Sequence, residues 1–382
     1  MEVRKLYYED SHLREFDAQV ISCRQAAKGW EVTLDATAFY PEGGGQACDL
    51  GVLGAAKVLD VREKETQVVH LCDVPLEVGA QVHGVIDWNR RFDLMQQHSG
   101  EHILSGLIHA RFGYHNVGFH MGKTAMEVDF DGPISPEALA ELELAANRAV
   151  WADLPLHSWY PSPQELPQVP YRRKRDLPWP VRIVEVPGHD LCACCGVHVK
   201  TTGQIGLIKV LSCVKFHEGV RLEMLCGRRA YDYMCTIFEE NRQVSQTFSA
   251  KMTATGEAAR RFAEGFAAEK YRAAGLEKRV FAAVAEGYAG AGDTVHFEEG
   301  LTPGGVRDLA DAIAGRCGGV AAVFSGNDAA GYSVCLVHHG GDIKELGNRM
   351  NQTLNGRGGG KPGYFQGSVK ATREAIESFF RQ

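Results

Sequence analysis

The chain has no apolar run of about 18 residues, and no basic-then-apolar leader opens it before Met1-Glu2-Val3-Arg4-Lys5. No membrane span or secretory signal is expected, and a cytoplasmic location is the default. A disulfide framework is missing too: the 11 cysteines are odd in number, scattered from Cys23 to Cys335, and clustered only at Cys192, Cys194 and Cys195. Positive charge is not in excess, since the formal net charge is -7. That argues against a general polyanion binder but leaves room for a local basic patch on nucleic acid. What the 382 residues do have is an ordinary globular composition, 45% hydrophobic and 23% charged, and length for roughly two or three domains.

An α+β organisation follows from the changing period of the sequence. Residues 1–90 alternate apolar and polar side chains over short spans such as Glu31-Val32-Thr33-Leu34 and Gln67-Val68-Val69-His70-Leu71, which predicts a small antiparallel, barrel-like β domain. Within it, Thr37 to Gln46 holds three consecutive glycines, Gly43, Gly44 and Gly45. Their backbone can take positive φ and approach a ligand closely; a tight hairpin turn is the plainer reading. From Trp88 the period becomes helical, with Phe92, Met95, Ile103 and Leu107 on one side and Asp87 or Asn89 as N-cap. Residues 117–131 return to strand character, Ser135-Pro136 opens another helix, and a proline-rich crossing leads to a strand over 181–186 and then the cysteine cluster. Residues 91–227 therefore read as an α+β domain.

Residues 228–289 lack proline and predict two long helices with a break near Thr255-Gly256-Glu257. The plain use of such a helical hairpin is a spacer; its sharper use is a homodimer contact. Residues 290–382 alternate helix and strand, a small α/β domain that is the second candidate for that contact. Near its end stands Arg357-Gly358-Gly359-Gly360-Lys361-Pro362.

Chemistry concentrates in two stretches, His98-Ser99-Gly100-Glu101-His102 and Cys194-Cys195-Gly196-Val197-His198. On a helix, His98 and His102 share one face a turn apart, and Cys194 and His198 repeat the spacing. Three histidines and a cysteine suit zinc better than calcium or magnesium. Cys192 and Cys195 form a rival Cys-x2-Cys pair that spacing alone does not exclude. The first stretch also matches His-x-x-Glu-His, the inverted zinc-peptidase signature in which Glu101 would be the general base. That reading usually takes a carboxylate as third ligand and leaves the glycine stretches without a role, so it ranks second.

Taken together, several stretches resemble one family, the freestanding editing proteins related to alanyl-tRNA synthetase (the AlaX type). Phe39 to Gln46 resembles its N-terminal glycine motif, and His98-x3-His102 with Cys194-x3-His198 its paired zinc signature. Thr202 to Lys209 and Gly219 to Glu223 resemble the strands that follow, and Gly358-Gly359-Gly360-Lys361-Pro362 the synthetase's C-terminal domain, as in a long form. The chain departs from the family's Cys-Gly-Gly-Thr-His at Cys195 and Val197, which adds a neighbouring thiol and removes a hydroxyl.

The resemblance implies an aminoacyl-tRNA deacylase that binds Zn2+ and hydrolyses the ester between serine, or else glycine, and alanine tRNA. It implies zinc at His98, His102, Cys194 and His198, and substrate at Gly43, Gly44 and Gly45. Thr37 and Gln46 would line the amino-acid pocket. Glu101 could act as base, although it points about 100° around the helix from His102. Tyr364 or Phe365 and the backbone of Arg357, Gly358, Gly359, Gly360 and Lys361 would contact tRNA, with Arg172-Arg173-Lys174-Arg175 and Arg228-Arg229 as further basic groups. A non-catalytic tRNA-binding protein with structural zinc is the remaining alternative.

Overall fold

The computed structural model describes residues 3–173 and 179–381. They form two compact units, Met1–Arg242 and Gln243–Gln382. In the first, strands Glu15–Ala26, Gly29–Leu34, Gln67–Cys72, Ala56–Lys64, Gly51–Leu53 and Gln81–Ile86 hydrogen-bond in that order and close on themselves. The start of Glu15–Ala26 shows why: Phe16, Ala18 and Val20 are buried while Glu15, Asp17 and Gln19 are exposed. A period of two fills one face, and closure leaves no edge. Val20, Val32, Leu53, Val61 and Val68 are among the residues packed inside.

The helix Trp88–Phe112 follows, capped by Asp87, whose carboxylate accepts from Arg90 N, and ended by left-handed Gly113. It packs with a four-stranded sheet in the order Ile208–Phe216, Gly219–Cys226, Met126–Phe130, Asn116–Met121. The Gln97 amide docks on a strand end, donating to Cys226 O at 2.7 Å and accepting from Cys226 N at 2.9 Å. Arg91, fully buried, ties the same helix to the glycine segment: Nε donates to Asp49 Oδ1 at 2.9 Å and Nη2 to Ala38 O. Asp49 in turn accepts from Tyr40 N. A buried pair of this kind is retained for position more than for stability. Here it holds both ends of the glycine segment against the helix.

A third, three-stranded sheet (His157–Trp159, Ile183–Val186, Asp190–Ala193) delivers the chain to Cys194. The helix Pro136–Trp151 has the expected Ser135 cap and leading proline.

Helix Gly227–Thr247 carries the chain to the second unit, where helix Thr255–Glu286 begins at the residue expected to break it. The break lies earlier, where Ser245 Oγ donates to Ala250 O and Ser249 takes φ of 47°. The unit's sheet runs Gly292–Phe297, Gly318–Asn327, Gly331–Val337, Tyr364–Val369, Arg357–Lys361, with helices Pro303–Cys317, Lys344–Thr353 and Arg373–Phe380. The glycine motif is thus an edge strand. No helix among the described residues is long and apolar enough to cross a membrane.

Candidate metal centre

The helix Trp88–Phe112 sets His98 and His102 on one face, and the loop leaving Asp190–Ala193 lays Cys194 and His198 against it. Ligand atoms of these four residues lie within 4.8 Å of one another, and all four are buried. Cys194 Sγ is 3.4 Å from His98 Nε2 and 3.5 Å from His198 Nε2. The rings of His98 and His102 are both 4.6 Å, centroid to centroid, from that of His198.

Each imidazole is held at its other nitrogen. His98 Nδ1 is 2.8 Å from Gln46 Oε1, His102 Nδ1 is 2.9 Å from Asp190 Oδ2, and His198 Nδ1 is 3.1 Å from Ser99 Oγ. Protons on the three Nδ1 atoms satisfy these contacts and leave the Nε2 lone pairs to the cluster, the orientation that a metal-binding imidazole needs. Asp190 is clamped from behind by Arg172, through Nε at 2.6 Å and Nη2 at 2.9 Å.

Charge follows the same pattern. Burial opposes ionisation of Cys194, yet His98 and His102 beside it, and hydrogen bonds from His102 and His198, hold its thiol well below the usual range. Burial also opposes the His102 imidazolium, but Cys194 and Asp190 carry it up to about 9. Burial, then the neighbouring His102, pushes His198 down to about 3, so it is neutral. A buried thiolate among imidazole nitrogens fits zinc. The rival Cys-x2-Cys pair is not assembled: among the described residues Cys195 joins no ligand grouping, and Cys192 groups with His102 and Asp190 instead. Burial pushes the Cys192 thiol up.

The glycine turn meets this centre. Gly43 and Gln46 exchange backbone hydrogen bonds of 3.1 and 2.9 Å, and Gly44 and Gly45 take φ of 59° and 81°, a turn that strongly favours glycine at both central positions. A Cβ on Gly45 would fall 2.4 Å from the Phe119 ring, and one on Gly44 3.1 Å from Cys195 Sγ. Gln46, fully buried, accepts at Oε1 from His98 Nδ1 and from Val197 N at 3.3 Å. Its Nε2 has no hydrogen-bond partner among the described residues.

Other expected residues lie elsewhere. The Thr37 hydroxyl is 2.9 Å from His70 Nε2 and accepts from Phe39 N, which occupies it at the barrel end of the glycine segment. Glu101 is buried but outside the ligand grouping; its Oε1 accepts from Ser105 Oγ and Asn116 Nδ2, both at 2.6 Å. Arg172, expected to be a solvated cation for phosphate, is instead the largely covered clamp on Asp190, and Lys174 and Arg175 fall outside the described residues. Arg229 is bound to Asp93, and Arg228 is exposed beside Asp232. Arg357 to Lys361 are all exposed. Sequence reasoning missed Asp190 and Ser99 and gave Arg172 a different role. Only Ser99, beside His98, carried any local signal.

Two family models match the chain: tRNA synthetases class II (A) over residues 6–90, and the threonyl and alanyl tRNA synthetase second additional domain over residues 181–222. The second match contains Cys194 and His198. The alanyl-tRNA editing protein Aarsd1 of Danio rerio is 27% identical over 396 residues, covering 98% of this chain and 96% of that protein. The alanyl-tRNA editing protein AlaX-L of Pyrococcus horikoshii is 32% identical over 249 residues, 62% of this chain and 61% of that protein. The chain is similar over nearly its whole length to proteins named as freestanding alanyl-tRNA editing proteins. The family's relation to the synthetase is visible as well: the alanine–tRNA ligase of Thermofilum pendens is 32% identical over 97% of this chain, which spans 42% of that enzyme. The C-Ala domain from Aquifex aeolicus alanyl-tRNA synthetase matches 23% of this chain and 87% of that domain at 24% identity with a TM-score of 0.20.

Proposed function

We propose that the chain belongs to the freestanding alanyl-tRNA editing family and is a trans-editing deacylase. It hydrolyses the ester joining a wrong amino acid, serine first and glycine second, to the terminal ribose of alanine tRNA. The observation that carries the reading is Gln46: one buried amide joins the glycine turn to the ligand cluster and keeps an unused donor there. A buried donor without a partner costs about 1–3 kcal/mol, which a substrate oxygen would recover. Relatives named alanyl-tRNA editing proteins over nearly the full chain support the substrate class.

In this reading Gly43, Gly44 and Gly45 let the amino-acid end approach the backbone, and Gln46 Nε2 donates to the serine hydroxyl or the ester carbonyl. An apolar pocket cannot strongly reject serine for its added hydroxyl, whereas a site that hydrogen-bonds that hydroxyl can select it. Thr37 acts through Phe39 N and His70, keeping the segment in shape. His98, His102, Cys194 and His198 would hold zinc. Zinc held there would supply Lewis acidity toward the ester carbonyl. Glu101 is the less favoured base, since Ser105 and Asn116 occupy its Oε1. The same placement weakens the inverted-peptidase alternative.

Segments 1–90, 91–227, 228–289 and 290–382 are proposed as glycine-motif domain, editing domain, helical linker and C-terminal domain, working in the cytoplasm. The exposed strand Arg357 to Lys361 offers edge amides and two cations to tRNA phosphates. Exposed Phe262, Phe266, Leu276 and Val280 on one face of Thr255–Glu286 mark where a homodimer contact would lie.

Incubation with serine-charged and alanine-charged alanine tRNA, with and without chelator, tests the proposal. Serine is released, alanine is retained, and chelation slows release. Serine that stays on the tRNA with zinc supplied overturns it, and hydrolysis indifferent to zinc returns the ion to a structural role.

A further inference from the structure

The strand Asn116–Met121 brings to the metal centre a side chain that no sequence motif singled out. It is an edge of the four-stranded sheet and pairs with Met126–Phe130, with Phe119 standing opposite Val128. The Phe119 ring is stacked on the imidazole of His98, 5.7 Å between centroids at an interplanar angle of 30°. Its edge fills the place of the side chain that Gly45 lacks, 2.4 Å from where a Cβ would be. Held between a candidate ligand and the turn, the ring cannot swing toward either without a clash.

From Phe119 the contacts run round a closed circuit. His98 Nδ1 meets Gln46 Oε1 at 2.8 Å, and that oxygen is 3.1 Å from a Cβ built on Gly196. Cys195, next in the chain, sets its Sγ 3.1 Å from a Cβ built on Gly44, and Gly45 leads back to Phe119. His98, Gln46 and Gly196 are buried, Gly44 and Gly45 are exposed, and Phe119 and Cys195 are half-buried. The buried members make a floor, which includes the Gln46 Nε2 donor that has no partner among the described residues. The other four make a rim, and two of them have no side chain. The width of that rim is therefore set by Cys195 and, with the larger and stiffer group, by Phe119.

Floor and rim read different features of an acyl group. A donor on the floor favours a hydroxyl, but serine and threonine both carry one, so Gln46 cannot tell them apart. A rigid wall can, because threonine brings one more methyl through the same opening, and one such group changes discrimination about 10–200-fold. We propose that Phe119 is a specificity-determining residue of this site, whose ring admits the hydroxymethyl side chain of serine and turns away the branched side chain of threonine. The inference rests on the deacylase reading, which puts the acyl group at the glycine turn.

The test uses the full-length zinc-loaded protein and alanine tRNA acylated with serine or with threonine. Wild type hydrolyses the serine ester at least about tenfold faster than the threonine ester. Phe119→Leu and Phe119→Ala raise the threonine-to-serine ratio of kcat/KM in that order, by about tenfold or more for the latter. Loss of packing alone would slow both esters together and follow zinc content, which is measured for each variant; the ratio cancels that effect. The serine and threonine amides of 3′-amino-3′-deoxyadenosine, which lack the ester, give a second readout by calorimetry: the threonine amide gains affinity relative to the serine amide in both variants. A threonine-to-serine ratio that is the same in wild type and Phe119→Ala overturns the assignment, as do amides that fail to bind or bind alike in all three proteins. If wild type leaves the serine ester intact, the deacylase reading falls, while the amide titration still decides the role of Phe119.

Discussion

Replacing Asp190 by asparagine tests the logic of the metal centre most directly. The Asp190 side chain is 1% exposed and accepts from His102 Nδ1 at 2.9 Å and from Arg172 at 2.6 and 2.9 Å. Asparagine retains one acceptor for His102 but removes the charge facing Arg172. Removing one partner from a buried ion pair costs about 3–5 kcal/mol, so the metal-free variant should unfold at markedly lower denaturant. Loss of an outer partner of a ligating histidine typically weakens metal binding about 10–100-fold, or roughly 1.4–2.7 kcal/mol. An opposing effect has to be separated. His102 is held at about 9 by Cys194 and Asp190, so in the wild type a proton would compete with an added metal ion at neutral pH. The variant gives up that proton more readily, which masks part of the loss. Competition against a chelator above pH 9, where His102 is neutral in both proteins, exposes the full effect, and the gap should narrow toward pH 7. Adding Arg172→Met removes both charges and should restore most of the stability without restoring zinc affinity. Equal zinc affinity above pH 9 would refute the view that Asp190 orients His102.

Three further outcomes follow from the same contacts. Zinc content should survive Cys195→Ala but not Cys194→Ala, by elemental analysis of the purified proteins; equal loss in both would unseat the ligand assignment. A Cβ at Gly196 would lie 2.1 Å from His98 Cε1, so Gly196→Ala should displace that ring and weaken zinc at least tenfold, again by chelator competition, and wild-type affinity would contradict the packing. His70 is fully buried and pushed down to about 4 by burial. Its folded value lies below the unfolded one, so the unfolded chain takes up the proton first. The stability it protects is complete above pH 6.5 and is lost as pH falls toward 4, by roughly 3 kcal/mol. Denaturant unfolding of wild type and His70→Gln across that window should show a shallower decline in the variant; parallel declines would mean that His70 is protonated in the fold.

Local signals were legible because their causes are local. The Asp87 cap and Gly113 terminus of the long helix, the Ser135-Pro136 start and the period-two strands each depend on residues within about four positions of one another. The same range brings His98 and His102 onto one face. Elsewhere a long-range contact decided what neighbouring residues do not signal. The glycine run at 358–360 became a strand because Tyr364–Val369 offers it a partner, with Gly358 opposite Gly367. Arg172 sits in a run that reads as solvated, yet Asp190 draws it inward from 18 positions away.

The sequence by itself determined two pairs of candidate donors with matching spacing, beside a rival Cys-x2-Cys pair, and the turn chemistry of Gly44 and Gly45. Only the tertiary structure decided what those donors face. Gln46, Asp190 and Ser99 reach His98, His102 and His198 across separations of 52, 88 and 99 residues. No local period encodes such distances. The lone-pair direction of each imidazole is therefore set by chain closure, through the Arg91–Asp49 tie and the Asp190–Ala193 strand, and not by the residues beside it.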